Sequence, residues 1–413
     1  MDTALARRTV ARGPRACRDY RRRRALSGGP ESTGTLSGGR RRPQPERRRS
    51  ARAGAAGRGR TLAMNPLERI VTAVGLGEVD RTPVLPVLLQ QGSTMLGVPL
   101  TEYFGEPARL AEGQHRLVDR YGHDGVFAIP HVVQDTLPWG AGLDFHDDGA
   151  PSVNRMVINR YEDIADLPRP NAASHPYLRH TLAAARALAQ RHKGDRLIVG
   201  AIIGPFSLPS MLMGMGKSLG LLVRHRDAYN RFYPTLRERM MEYCLDWAKA
   251  QYEAGCDIVV VAEGMASASL LTEETFLREA LPVLKEFAAR AGGLVGLEMV
   301  GDALPFAKHL RDVPCAVLLV GSHDPVDQMR RHIGASKALM GNLNNIKLLR
   351  WDADRVEFEA RRAIHRAGRG FILSNQGPEV PLATPPENID ALIRAATRAT
   401  ASQPPAKLAA ARH

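Results

Sequence analysis

Cysteine is scarce in this 413-residue chain, and what there is sits badly for chemistry. The four are Cys17, Cys244, Cys256 and Cys315, and none stands in a CxxC or HxC pair. That excludes a disulfide framework and a paired-cysteine zinc motif. Cys244 and Cys256 lie in helix-like and strand-like apolar settings and read as buried free thiols, which suits a reducing cytoplasm. No apolar run reaches the roughly 18 residues of a membrane span, and the N-terminus has no continuous apolar segment of the secretory kind. Lysine is absent from residues 1–63 and acids are few there: four, against 18 arginines.

That imbalance explains the charge. The chain has 57 basic and 43 acidic residues, a net +14, and the first 63 residues carry all of it, leaving 39 of each sign in the remainder. A strongly basic chain suggests nucleic acid, but the bulk of this one is neutral overall, so no nucleic-acid partner is expected. The Arg-rich stretch is poor in large apolar residues and reads as a disordered extension. It has three readings: a start codon taken too early in a GC-rich gene with Met64 the true start, which is favoured; an organelle transit peptide; or a nucleic-acid-binding arm. Residues 64–401 then form the folded domain and 402–413 a frayed end.

Within that domain, short apolar runs alternate with helical patterns. Strands are expected at 83–89, 125–129, 197–203, 257–262, 294–299, 316–320, 338–342 and 371–374, each bounded by Gly, Pro or polar residues as parallel strands buried on both faces should be. Between them, Leu236, Met240, Cys244, Trp247, Ala248 and Tyr252 recur at helical spacing and stop at Gly255. Asp352 and Thr384 stand where helix N-caps are needed. Residues 131–167, rich in Gly, Pro and Asp, predict a long excursion with a small hairpin after the second strand. Eight strands with intervening helices predict an α/β fold of the (β/α)8 TIM-type barrel kind.

In such a barrel the residues just past each strand share one rim, and the active site lies there. Reading those positions gives Gln90 and Gln91, His131 and Gln134, Glu263, Glu298 and Asp302, His323 and Asp324, Asn342 and Asn344, and Asn375 and Glu379. Polar groups at nearly every rim position exceed what solvation requires and point to an enzyme. Asp302 and Asp324 read equally well as helix caps, His323 as a surface imidazole, and Asn342 and Asn344 as loop ties. Glu263 and Glu298 each terminate an apolar strand, where a carboxylate needs a partner, a metal or a raised pKa. The segment GPFSLPSMLMGMG reads as an apolar wall with a mobile loop, or as a packed loop filled by methionine.

Several strings, in order, resemble one known group. MNPLERIVTAVGLGEVDRTPVLP (64–86) resembles the opening of the uroporphyrinogen decarboxylase superfamily. VGAIIGPFSLPSMLMGMGKSL (199–219), AGCDIVVVAEGMASASLLTEETF (254–276), MGNLNNIKLL (340–349) and TPPENIDALI (384–393) resemble its corrinoid-dependent, methylcobalamin:coenzyme M type, methyltransferase branch. The resemblance covers roughly 64–400. It implies a barrel that moves a methyl group between a corrinoid (cobalamin, carried on a partner corrinoid protein) and a small-molecule acceptor or donor.

Two departures bear on this. The decarboxylase has an Arg-rich segment after the first strand and a GHG-like turn near the C-terminus, whereas this chain has LLQQGSTML and NQGPEVP. The methyltransferases hold zinc through an HxC pair and a later Cys. Here Glu298 takes the His place, Val300 the first Cys place, and no Cys stands near Gly377 or Pro378. The resemblance therefore implies Glu298 as metal ligand or general base, with Glu379 as a second oxygen ligand if a metal is held. Glu263 and His323 would transfer or position protons, and Gln90, His131, Asn342, Asn344, Asn375 and Glu379 would orient the substrate. Decarboxylase activity and a non-catalytic corrinoid- or partner-binding barrel remain as alternatives.

Overall fold

A computed structural model describes residues 63–398. The expectations about the Arg-rich extension up to residue 62 and about the end beyond 398 lie outside the described residues. Nine strands are assigned: β1 (Gly125–Phe127), β2 (Gly142–Asp144), β3 (Ser152–Arg155), β4 (Leu197–Ile203), β5 (Ile258–Ala262), β6 (Leu294–Glu298), β7 (Val317–Leu319), β8 (Ala338–Leu343) and β9 (Phe371–Asn375). Seven of them form a parallel sheet in the order β1-β4-β5-β6-β7-β8-β9, with helices between consecutive strands. Their positions match seven of the eight expected runs to within a residue or two. The expected hairpin is β2 paired antiparallel with β3, Leu143 opposite Val153.

The eighth run behaves differently. Residues 83–88 lie between β9 and β1 but make only an isolated bridge, Val84 to Leu373. Pro83 and Pro86 have no N–H to give to a ladder, so side chains supply what the backbone cannot. Leu85 N–H donates to Leu373 O (2.9 Å) and Leu373 N–H to Pro83 O (2.8 Å). Ser374 Oγ donates to Leu85 O (2.7 Å), and Asn375 Oδ1 accepts from Val87 N–H (2.9 Å). On the other side, Asp124 N–H donates to Val84 O (2.9 Å) while its carboxylate accepts from Val84 N–H (2.7 Å). The curled sheet thereby closes into the (β/α)8 barrel.

The buried Asp124 carboxylate also accepts from Arg69 (2.6 Å) and twice from Arg81 (2.9 Å each). Arg69 belongs to the helix Pro66–Val74, which opens with a capping box between Asn65 and Glu68. The helix thus bonds to the seam and places Ile70, Val71 and Val74 against the barrel interior. Burial opposes ionisation of Asp80, but hydrogen bonds from Arg69 and from the Met64 and Arg81 amides outweigh it and bring the pKa to about 2.

The helix Arg226–Glu253 ends two residues before Gly255, with Ala254 at its cap, close to where its spacing predicted, and Leu236, Met240, Cys244, Trp247 and Ala248 are fully buried. Gly255 takes φ +116°, and a Cβ there would lie 2.6 Å from Ala189 Cβ. Asp352 caps Ala353–Ala367 by accepting from Arg355 N–H (2.7 Å). Thr384 does not cap the last helix. That helix begins at Pro386, so Pro385 stands at the cap place and Thr384 Oγ1 is buried without a hydrogen-bond partner. Phe206, Leu208, Leu212 and Met213 of the Met-rich segment are packed in the core, while Met211 is half-buried and Met215 exposed, so the segment is packed but methionine only partly fills it. Among the described residues no helix is long and apolar enough to cross a membrane.

Asp124→Ala leaves the Val84 amide and Arg81 without their carboxylate at the seam and leaves Arg69 with Asp80 alone. Removing one partner of such a pair typically costs about 3–5 kcal/mol, and urea unfolding of the variant should show a loss of that order. A loss under about 1 kcal/mol would mean the seam does not depend on this carboxylate.

Candidate active site

The inward-facing residues of a parallel barrel normally fill its interior in layers. Here they leave an apolar cavity of about 220 Å³, floored by Ile70, Val71 and Val74 and walled by short or slender side chains such as Val199, Ala201, Val260 and Ala262. Among the described residues lining it, the only polar side chains are Glu298 and Glu379, both at the end where the strands finish. Glu298 is the last residue of β6 and pairs in register with Ala262 and Leu319 of the neighbouring strands. Glu379 follows β9, in a turn that Asn375 holds by donating to Gln376 O (2.6 Å) and Pro378 O (2.8 Å).

The two carboxyl groups differ in their partners. Glu379 Oε1 accepts from Gln90 Nε2 (2.8 Å), whereas the buried Glu298 Oε1 has no hydrogen-bond partner. Burial, and then the neighbouring charge of Glu379, raises Glu298 from 4.5 to about 7. Burial also raises Glu379, against the opposing hydrogen bonds. A carboxyl group raised toward neutrality beside an apolar cavity can give or take a proton under ordinary conditions.

Gly377 makes this placement possible: a Cβ there would fall 1.2 Å from Glu298 Oε1. Sequence reasoning missed Gly377, because NQGPEVP looks like an ordinary turn and nothing in it shows that a carboxylate from β6 fills the absent side chain's space. It also missed Asp135, a buried carboxylate that accepts from Ile203 N–H (2.7 Å) and Trp247 Nε1 (2.9 Å) and ties the segment after β1 to β4 and its helix.

The other expected site residues lie elsewhere. Glu263 is fully buried, but its carboxylate faces the loop after β4, accepting from Ser207 Oγ (2.7 Å) and Phe206 N–H (3.2 Å). Burial, opposed by those bonds, raises it to about 7. It does not line the cavity. His131 is buried against Phe104 and Phe145. Its Nδ1 accepts from Gln134 N–H (3.2 Å), so the proton is assigned to Nε2, 3.0 Å from Tyr177 Oη, and burial lowers its pKa to about 3. His323 is exposed, with Nδ1 3.6 Å from Asp302 Oδ1. It shares with Asn342 and Asn344 a separate polar groove of about 260 Å³ beside the helix Ala353–Ala367.

Asn342 Nδ2 donates to Asp324 O (3.1 Å) and Asn344 Oδ1 accepts from Lys347 N–H (2.9 Å), as loop ties would. Asp324 caps a neighbouring turn, accepting from Ala303 and Leu304 N–H. Of the expected set, the structure brings together Glu298, Glu379 and Gln90. Among the described residues no three His, Cys, Asp or Glu side chains gather as metal ligands. The residues present do not fit a thiolate zinc site: the pair at the cavity is two carboxylates with an amide.

Because the folded pKa of Glu298 lies above its unfolded value, the stability it contributes is fully present below about pH 4.5 and is lost as pH rises through 7. Glu298→Gln removes this dependence, worth up to about 3 kcal/mol. The fall in Tm between pH 5 and pH 8 should therefore be smaller in the variant than in the parent chain, as followed by circular dichroism. Gly377→Ala displaces the carboxylate and should flatten the same profile; an unchanged profile would mean Glu298 does not depend on the missing side chain.

Comparisons with known proteins agree with this architecture. A structure described as a methyltransferase from Methanosarcina mazei superposes with a TM-score of 0.72, covering 80% of this chain and 98% of that one at 22% identity. Methylcobamide:CoM methyltransferase MtaA of Methanosarcina barkeri is 25% identical over 216 residues, 52% of this chain. The match spans only 62% of that relative's length. Uroporphyrinogen decarboxylase of Streptomyces avermitilis is 24% identical over 315 residues, 72% of this chain and 83% of the relative. The profile of the uroporphyrinogen decarboxylase (URO-D) family matches residues 65–399, and the chain belongs to that family.

Proposed function

We propose that this barrel is a methyltransferase that moves a methyl group between a corrinoid, carried as substrate by a partner corrinoid protein at the mouth, and a small molecule held in the cavity. The observation that carries the reading is Glu298: a carboxyl group raised to about 7 stands at the open end of an apolar cavity. It occupies the place where the methyltransferase branch has the histidine of its HxC pair. In the direction from corrinoid to acceptor, the Glu298 carboxylate takes the proton from the acceptor's X–H as the lone pair on X forms the new bond to the methyl carbon, and the carbon–cobalt bond breaks with its electron pair leaving on the corrinoid substrate. The proton then rests on Glu298, so no net positive charge is left in the apolar site. Glu379, held by Gln90, keeps Glu298 basic enough for this, because its negative charge opposes ionisation.

Relatives named methylcobamide:CoM methyltransferase support the corrinoid as methyl carrier. Among the described residues zinc has no fitting ligand set, so no step is assigned to it. Glu263, through Ser207 and Phe206, positions the loop after β4 rather than touching substrate. Decarboxylase relatives cover more of the chain, but a polycarboxylate substrate requires cationic partners. This cavity offers two carboxylates and apolar walls. The methyl-transfer reading is therefore preferred, both to decarboxylation and to a barrel that only binds.

The purified protein, mixed with methylcobalamin and thiols, tetrahydrofolate, phenols or amines in turn, should show acceptor-dependent loss of the cobalt–methyl absorption without added zinc. Glu298→Gln should slow that loss by roughly 10²–10⁴-fold, the usual worth of a general base, with the fold intact by circular dichroism. No loss with any acceptor would overturn the reading, and full activity in the variant would remove Glu298 from the chemistry.

A further inference from the structure

Buried carboxylates in proteins are almost always paired with a cation or fully hydrogen-bonded. Glu298 and Glu379, each half-buried at the mouth of the cavity, are an exception. Both line the same end of one cavity, and among the described residues neither has an Arg, Lys or His against it. Glu298 Oε1 is buried with no hydrogen-bond partner at all. No basic side chain lines the cavity either, among the described residues. Elsewhere the same fold gives its buried acids partners: Asp124 has Arg69 and Arg81, Glu359 has Arg355 and Arg362, and Asp135 and Glu263 each accept two hydrogen bonds. The missing counter-charge sits at the mouth of a cavity whose other walls are hydrocarbon.

A metal ion would complete the charge but would require at least one more protein ligand, and no third His, Cys, Asp or Glu is gathered there among the described residues. It would also leave the apolar space beneath unfilled. The dimensions suit an organic ion better. An apolar cavity of about 150 Å³ takes up benzene, so 220 Å³ admits a body of about eight to ten heavy atoms.

We infer that the small-molecule ligand of this barrel is an organic monocation: an ammonium group seated between Glu298 and Glu379, on an apolar body that fills the interior down to Ile70 and Val74. This deepens the methyl-transfer reading and rests on it for taking the cavity as the substrate's place. The ammonium donates to the orphaned Glu298 oxygen and replaces the lost hydration of both acids, while the body gains from leaving water. Specificity is then set from two ends: the acids reject anions, and the floor formed by the helix Pro66–Val74 limits length.

The test is calorimetric, with the full chain and no corrinoid. The probes are 2-phenylethylammonium, its neutral isostere 2-phenylethanol, the anion phenylacetate, and ethylammonium, which has the head without the body. The expected order puts 2-phenylethylammonium about tenfold or more ahead of 2-phenylethanol, with phenylacetate and ethylammonium weakest. Glu298→Gln should erase the preference for the cation while leaving 2-phenylethanol binding, and Val260→Phe should abolish both by filling the cavity. Where that variant fails to fold, the smaller Ala262→Leu gives the same reading. Equal binding of the alcohol and the ammonium, preference for the anion, or no binding of any probe would each overturn the inference. Ammonium binding with no loss of methyl from methylcobalamin would leave this inference standing and sink methyl transfer. Transfer to thiols or phenols by a protein that ignores the ammonium would do the reverse.

Discussion

The barrel depends on one buried carboxylate at its seam. Seven strands form an ordinary parallel ladder, but the segment that must close the ring contains Pro83 and Pro86 and cannot complete one. Asp124 makes up the deficit, accepting four hydrogen bonds from Val84, Arg69 and Arg81. Ser374 and Asn375 do similar work on the opposite side. The same contacts fix two things the site needs. Arg69 anchors the helix that floors the cavity, and Asn375 orders the turn that carries Gly377 and Glu379. Closure and the geometry of the candidate site are thus parts of one network.

A hollow barrel gives up packing that a filled one would have. Lost dispersion and apolar contact around a void cost stability, and two acids facing that void add an electrostatic penalty. Both costs fall at the same end of the same cavity. A protein can sustain such a combination where a ligand offsets it on binding, since anything that binds only the folded state stabilises that state. The cavity and the unpaired acids are therefore more informative together than either is alone.

Much of the fold was legible in the chain. Alternation of short apolar runs with helical spacing identified seven strands of the parallel sheet, and the Gly- and Pro-rich stretch identified the hairpin. These features are local: period, turn chemistry and caps act within a few residues. The eighth strand was read as an equal of the others because its apolar character is equal, although its prolines carried the warning. The site was legible only in part. Glu298 and Glu263 looked alike in sequence, each ending an apolar strand. They diverge because Glu263 turns to the Phe206–Ser207 loop while Glu298 turns to the interior. His323, Asn342 and Asn344 share a groove apart from the cavity.

Order, spacing and composition alone determined that this chain makes a (β/α)8 barrel, that its excess charge lies outside the barrel, and that acids stand at the strand ends. These follow from local propensity, from the continuous apolar runs that burial on both faces imposes on parallel strands, and from the 3.6-residue period of helices. The tertiary structure alone decided which acids share a site, that the interior is hollow, and that a glycine 79 residues after Glu298 makes room for its carboxylate. The reason is physical: a void, an unpaired charge and an absent Cβ are relations between side chains distant in the chain, and no segment carries them by itself.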